Sequence, residues 1–356
     1  MKHYRILAVN PGSTSTKVAL FDELTVVLEF TLRHSERELK QFESVIDQLD
    51  FRYEIIVDAL GKASIDIGSI DAVIGRGGML RPVLSGIYEV NDAMRRDLSS
   101  ARYGEHASNL GGLIAAKIAR EASALAFIAD PVVVDELEDA ARVTGLPAIK
   151  RRSVFHALNQ KAVARLYALR EERRYEELNL VVAHMGGGVS VGAHRKGRVV
   201  DVNNALDGDG PFAPERSGSL PAGDLVKLCY SGRYTEAEVR RMLSGRGGVV
   251  AHLETNDMRL VVEMADDGDE TAALLLEAFC YNVGKLIGSM AAVLEGEVDA
   301  VILTGGIAYN EHICSRIARM VSFVAPVETI PGENELEALA MNALRALKGE
   351  AESAEY

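Results

Sequence analysis

No apolar run in this chain reaches the roughly 18 to 20 residues that a helix needs to cross a bilayer. The amino terminus, Met1-Lys2-His3-Tyr4-Arg5, enters a strand pattern without a signal-peptide core. The cytoplasm is therefore the expected location. Cysteine is scarce: Cys229, Cys280 and Cys314 form an odd set with no C-x-x-C spacing, which supports neither a disulfide framework nor a zinc knuckle. They read as buried or inert thiols. Positive charge is also in short supply. With 39 Lys and Arg against 52 Asp and Glu, the net charge of −13 repels phosphate backbones and anionic lipid at long range. Neither nucleic acid nor membrane is an expected partner, and basic clusters such as Lys150-Arg151-Arg152 and 170–174 read as solvated faces. The usual nucleotide signatures are missing as well. There is no G-x-x-x-x-G-K-[ST], no G-x-G-x-x-G after a strand, and no set of glycine loop, H-R-D and D-F-G.

What is present is a near-repetition. The segment 6–10, Ile-Leu-Ala-Val-Asn, runs into Pro11-Gly12-Ser13-Thr14-Ser15-Thr16 and resumes over 17–21; about half a chain later 180–184 runs into Met185-Gly186-Gly187-Gly188 and resumes over 189–192. Each reads as strand, small-residue turn, strand. A second pair follows in the same order, because 70–74 leads to Gly77-Gly78 at the spacing by which 298–302 leads to Gly305-Gly306. Two echoes in one order point to an internal duplication. At 356 residues the length prior of roughly 150 per domain also gives about two domains. Turns bare of bulky side chains expose backbone N–H groups, and such donors suit phosphate, so a nucleotide is expected in a cleft between the duplicated halves.

Around these hairpins the pattern is α/β. Third strands are expected at 26–30 and 198–202, and a further strand at 125–128. Helical spacing marks 39–60, 107–121 with Ser108 as a possible cap, 153–169, 270–294 and 335–347. Thr235-Glu236-Ala237-Glu238 is a capping-box start. The stretch 207–224, rich in Gly and Pro, reads as a long functional loop. The charged stretch 170–177 is the expected domain junction, and 349–356 reads as a frayed tail.

At this point the residues resemble a known family. The hairpin Asn10-Pro11-Gly12-Ser13-Thr14-Ser15-Thr16-Lys17, the second hairpin His184-Met185-Gly186-Gly187-Gly188, the loop Pro214-Glu215-Arg216-Ser217-Gly218 and the run Thr304-Gly305-Gly306-Ile307-Ala308-Tyr309-Asn310-Glu311 are similar to the acetate kinase family. That family lies within the acetate and sugar kinase, heat-shock and actin superfamily, and its butyrate-using branch is the nearest in length and motif. The resemblance spans almost the whole chain and departs from acetate kinases at particular places. They carry Phe-His-Gly-Thr-Ser-His where this chain has Phe155-His156-Ala157-Leu158-Asn159-Gln160, and His-Leu-Gly-Asn-Gly where it has 184–188; the segment around Gly75-Arg76-Gly77-Gly78 is spaced differently. These departures argue against acetate as the main substrate.

The resemblance implies two duplicated ribonuclease-H-like lobes around a nucleotide cleft. The N-terminal lobe would span 1–175, with the helix at 335–348 crossing back to it, and the C-terminal nucleotide-binding lobe 176–334. It implies reversible transfer of the ATP γ-phosphoryl to butyrate or another short or branched-chain fatty acid, giving the acyl phosphate and ADP. Acetate or propionate is the alternative acceptor. Arg216 and Arg76 would clamp the acyl carboxylate and the transferring phosphoryl, and His156 and His184 would donate hydrogen bonds to its oxygens. Asp130 matches the family's metal-organising aspartate, and Glu335, flanked by Glu333 and Glu337, a second carboxylate; with Asn10 these would hold Mg2+. Asp257, Arg259, Gly305, Gly306, Ile307 and Asn310 match the adenosine and ribose site, while Asn10, Ser13, Ser15, Gly186, Gly187 and Gly188 match the phosphate contacts. A homodimer or higher homo-oligomer is the implied assembly.

The residue types suit that chemistry. A simple carboxylic acid, with a pKa of roughly 4 to 5, is already ionised at neutral pH, so its oxygen needs no general base. What the reaction needs is charge neutralisation, because an anion attacks a polyanion. Two rivals make different demands. A sugar kinase of the same superfamily needs an aspartate base to deprotonate a hydroxyl, and an actin-like or chaperone-like ATPase needs no small acceptor at all.

Overall fold

The computed structural model describes residues 3–356, which separate into two compact units, one of 3–134 with 334–356 and the other of 135–333. Twelve strands run in chain order through the described residues. They are β1 (Arg5–Pro11), β2 (Ser15–Asp22), β3 (Thr25–Arg33), β4 (Ala72–Arg76), β5 (Ile87–Glu89), β6 (Leu125–Ala129), β7 (Asn179–Met185), β8 (Val189–Arg195), β9 (Arg198–Val202), β10 (Ala300–Gly305), β11 (Val327–Pro331) and β12 (Ser353–Ala354). The first unit's sheet has the order β12-β5-β6-β4-β1-β2-β3, and the second unit's has β11-β10-β7-β8-β9. Both contain an antiparallel triple hairpin followed by two parallel strands.

The duplication read from the sequence holds at the level of single hydrogen bonds. Asp71 opens the approach to β4, and its carboxylate accepts from the Arg5 amide at 2.8 Å; Asp299 opens the approach to β10 and accepts from the Asn179 amide at 2.8 Å. The β2–β3 pairing shifts register between Leu20 and Phe21, and the β8–β9 pairing between Ala193 and His194, at corresponding positions. The turns differ. Four residues separate the paired Pro11 and Thr16, whereas three separate Met185 and Val189.

In both units the sheets are covered by helices, so their central strands are nearly continuous apolar runs, as parallel α/β sheets require. In the second unit the period of two sorts residues between faces. Val181, Ala183 and Met185 pack with the helix Glu270–Val293, while Leu180 and Val182 pack with the helix Ala157–Arg170. In the first unit, Leu7, Val9 and Val73 pack with the helix Asn109–Ala122, and the helix Glu335–Leu347 lies against β1, β4 and β6. Glycine is required where β4 meets the helix Asn109–Ala122: a Cβ at Gly75 would stand 2.1 Å from the Gly111 carbonyl oxygen. This backbone contact fixes the strand end that carries Arg76.

Several expectations are corrected. The helix expected over 153–169 starts four residues later, leaving His156 at its N-cap position. Of the expected 39–60 helix, only 49–60 lies in one continuous helix, Leu49–Lys62, preceded by short turns. Ser108 precedes its helix without capping it, because its hydroxyl bonds His106 instead. The tail at 349–356 is not frayed: β12 pairs with β5, and Tyr356 is buried, its hydroxyl donating to Asp97 at 2.8 Å. Composition marked that segment as polar, but one aromatic ring finds a pocket under Arg81. Of the cysteines, Cys280 and Cys314 are buried and Cys229 is exposed. Among the described residues, no helix is long and apolar enough to cross a membrane.

Candidate functional site

The turn after β1 is held from inside by an arginine. Arg52, on the helix Leu49–Lys62, is only 1% exposed, and its guanidinium donates to the carbonyls of Gly12 (2.8 Å), Ser13 (3.1 Å) and Ser15 (3.2 Å) and to the Thr16 hydroxyl (3.1 Å). Burial pulls its pKa down to about 10, which still leaves it charged at neutral pH. With these carbonyls turned inward, the segment carrying Ser13 and Ser15 keeps a fixed shape. Beside the turn, His34 accepts or donates with the Thr16 hydroxyl at 2.9 Å, and burial lowers its pKa to about 4.

At the end of β1, the Asn10 amide donates to Glu335 Oε2, and Arg76 Nη1 meets the same oxygen at 3.2 Å. Glu335 is buried, Glu337 is exposed, and Glu333 lies in the other unit. The Asn10 Oδ1 atom is buried without a protein partner. Asp130, at the end of β6 with a φ of 38°, accepts from the Ser85 hydroxyl at 2.6 Å and the Gly86 amide at 3.0 Å. The first unit thus brings Asn10, Arg76 and Glu335 into one cluster. No group of three or more His, Cys, Asp or Glu side chains placed to hold a metal exists among the described residues.

The second unit contains a cavity of about 560 Å³ lined by Gly186, Gly187, Pro214, Glu215, Asn256, Asp257, Met258, Arg259, Gly306, Ile307, Tyr309, Asn310 and Glu333. Seven of these were singled out from the sequence. Gly188 and Gly305 are not in the lining, and Gly305 has a different task. Its φ of +90° and its approach to the Met185 carbonyl, where a Cβ would stand 2.3 Å away, let β10 turn beside β7. Two helices begin at the cavity. Asp257 caps Met258–Asp266, with Arg259 on its carboxylate lowering its pKa to about 2, and Asn310 caps Glu311–Val321 by accepting from the Ile313 amide at 3.0 Å. Helix N-termini present positive potential to a bound anion.

Arg216 sits in the 207–221 loop, where its strand-like segment bridges Ala213 and Ser244. Its Nη1 donates to the Ala205 carbonyl at 2.5 Å, and the guanidinium lies so close to Gly188 that a Cβ there would come within 1.9 Å of it. His156 and His184 stack with ring centroids 3.8 Å apart and an interplanar angle of 12°. His184 Nδ1 meets Asn159 Oδ1 at 2.7 Å, and His156 Nδ1 meets the Ser190 hydroxyl at 2.8 Å.

Sequence reasoning missed Arg52, Asn159, Ser190, Glu215, Asn256 and Tyr309. One of them carried a signal. Arg52 stands four and eight residues before the buried Ile56 and Leu60, which places it on the apolar face of its helix. The others are ordinary polar residues that only the fold brings to the site.

Residues 147–335 match the model of the acetokinase family. The chain is 54% identical to Butyrate kinase 1 of Clostridium acetobutylicum, over 99% of each chain. It is 51% identical to the probable butyrate kinase of Clostridium botulinum, again over 99% of each. Its fold is that of solved structures at low identity. An acetate kinase of Porphyromonas gingivalis superposes with a TM-score of 0.77 at 18% identity, covering 97% of this chain and 99% of that one. A propionate kinase of Francisella tularensis gives 0.76 at 18%, covering 95% and 98%. The two-lobed α/β fold expected from the sequence is the one these structures share, and the chain belongs to the acetokinase family.

Proposed function

We propose that this chain is a butyrate kinase, transferring the γ-phosphoryl of ATP reversibly to butyrate or a fatty acid of similar length to give the acyl phosphate and ADP. The observation that carries the reading is 54% identity, over 99% of each chain, to a curated butyrate kinase. In the forward step a carboxylate oxygen forms a bond to the γ-phosphorus while the bond from that phosphorus to the bridging β-γ oxygen breaks, and its electron pair leaves with ADP. The nucleophile arrives ionised, so side chains serve as electrostatic partners and not as bases. The cavity with its two capped helix starts is the place we assign to the nucleoside, with Asp257, Arg259, Gly306, Ile307 and Asn310 lining it and Gly305 shaping the strand end behind it. Asn10, Ser13, Ser15 and the turn Gly186 to Gly188 are assigned to the phosphates.

Arg216 and Arg76 are assigned as clamps on the carboxylate and the transferring phosphoryl. His156 and His184 are assigned to its oxygens. For Mg2+, the donor chemistry of one pair fits: Asn10 Oδ1 is buried without a partner beside the carboxylate of Glu335, and Asp130 is assigned with them from the family resemblance. A bound Mg2+ would offset charge on the phosphates. A homodimer is the assembly we propose from the family, and light scattering on the purified protein reads it directly.

The test of the function is incubation with ATP, hydroxylamine and butyrate, in which butyryl hydroxamate forms. Its absence, with ADP released only when a sugar is supplied, would favour the sugar-kinase reading; slow ADP release indifferent to any carboxylic acid would favour a plain ATPase. A kcat/KM series over acetate, propionate, butyrate, isobutyrate and valerate then ranks the acceptors.

A further inference from the structure

Behind the stacked histidines lies a buried hydrogen-bond chain whose direction can be read atom by atom. It begins at a group that can only accept. The Ser190 backbone carbonyl lies 3.0 Å from one amide atom of Gln160, which must therefore be its NH2; the other atom, Oε1, faces His194. Because Oε1 only accepts, the His194 nitrogen 2.9 Å away, Nε2, carries a hydrogen. His194 is fully buried, and burial together with the positive charges of Lys161 and Arg165 pushes its pKa well below the ordinary histidine value. Its ring is neutral, so its Nδ1 accepts the Tyr175 hydroxyl at 2.7 Å.

The other end of the chain reaches His156. Ser190 Oγ accepts from the same Gln160 NH2 at 2.9 Å and from the His156 amide at 3.5 Å, which occupies both of its lone pairs and leaves its own hydrogen to donate. The acceptor in reach is His156 Nδ1 at 2.8 Å. His156 therefore holds its hydrogen on Nε2. The neighbouring ring is set the opposite way. The Asn159 amide NH2 donates to the carbonyls of Glu333 (2.8 Å) and Gly332 (3.3 Å), so its Oδ1 faces His184 and takes a hydrogen from Nδ1 at 2.7 Å.

We propose that Gln160, through Ser190, and Asn159 are positioning residues that set the two stacked imidazoles to opposite tautomers, His156 with hydrogen on Nε2 and His184 with hydrogen on Nδ1. In the neutral rings, His156 then offers a donor and His184 an acceptor from Nε2, and His184 donates from that atom only when protonated. This refines the sequence-based expectation that both simply donate. It explains why a glutamine suits position 160, where acetate kinases carry a second histidine: the amide has one donor end and one acceptor end in fixed places. The inference rests on the proposed phosphotransfer only where it assigns the His156 donor to the reaction.

The test combines a tautomer measurement with kinetics. In protein labelled with 15N-histidine, long-range 1H–15N correlation at neutral pH reports which ring nitrogen is protonated, with His156→Gln and His184→Gln identifying the two rings. Opposite patterns are expected for His156 and His184. Ser190→Ala, which removes the relaying hydroxyl, should convert His156 to a mixture and leave His184 unchanged. It should also lower kcat on the order of 10- to 10²-fold with KM for ATP and butyrate nearly constant, the signature of a donor misdirected in the transition state. Gln160→Leu should act in the same direction. Identical tautomers in the two rings, or no change in Ser190→Ala, overturn the proposal through the hydrogen-bond chain. The expected tautomer change with an unaltered kcat overturns it through the functional reading on which it rests.

Discussion

A single methyl group placed at Gly188 tests the assignment of Arg216 without removing the arginine. A Cβ built on Gly188 falls 1.9 Å from Arg216 Nη1, 2.6 Å from Cζ and 3.3 Å from Nε, and the glycine has no positive φ that alanine could not adopt. Ordinary van der Waals separation is about 3.5 Å, so the guanidinium must retreat by about 1.5 Å. What yields is the far end of a flexible side chain, not backbone, so the fold survives. The retreat breaks the hydrogen bond to the Ala205 carbonyl, a loss of roughly 1.5 to 3 kcal/mol for a charged donor. The larger effect is on rate, because a misplacement of about 1 Å in a reacting constellation costs on the order of 10²-fold. Gly188→Ala should therefore lower kcat/KM about 10²-fold, or roughly 2.7 kcal/mol, in the hydroxamate assay. Arg216→Ala should lower it 10²- to 10⁴-fold. Since both act through one guanidinium, the double variant should be no worse than Arg216→Ala. Gly188→Ala with activity within twofold of the parent, or two losses that simply add, would refute the idea that the guanidinium works from this position.

Arg52→Ala leaves the carbonyls of Gly12, Ser13 and Ser15 without their buried donor, and urea unfolding should show a loss of roughly 3 to 5 kcal/mol; less than about 1 kcal/mol would mean the turn holds itself. Tyr356→Ala removes a buried ring and its bond to Asp97, at a cost of roughly 2 to 4 kcal/mol read as a drop of several degrees in Tm, whereas a frayed tail predicts no change. Stability should also fall in mild acid. His34 is depressed from 6.5 to about 4, so the unfolded chain takes up a proton that the folded one refuses; the contribution is whole above 6.5 and is lost as pH falls toward 4. His194 adds in the same direction, and a His34→Gln variant whose urea midpoints keep the full pH slope would remove His34 from the account. A thiol reagent should label Cys229 quickly in the folded protein and reach Cys280 and Cys314 only on unfolding, because burial pushes both buried thiols up to about 11; fast labelling of more than one thiol contradicts this.

The sequence by itself determined the repeat. Strand patterns at 6–10 and 180–184 are set by apolar runs too long and uniform for solvent-facing sheet, and the aspartates Asp71 and Asp299 end up making the same hydrogen bond because the same local spacing leads into β4 and β10. The glycines at 186–188 and 305–306 were legible as small-residue turns, and at Gly305 the reason is backbone: its φ of +90° and the Met185 carbonyl 2.3 Å from a Cβ leave no other residue to use. The tertiary structure decided what depends on distant residues meeting. Nothing local shows that Glu335 meets Asn10 across 325 residues of sequence, or that Arg216 leans on Gly188. Nor does it show that Tyr356 fills a pocket. The histidines make the point most plainly: His156 and His184 were visible as residues, but which nitrogen carries hydrogen is fixed by Asn159, Gln160 and Ser190. Local pattern selects residue types, whereas protonation geometry belongs to partners that only folding supplies.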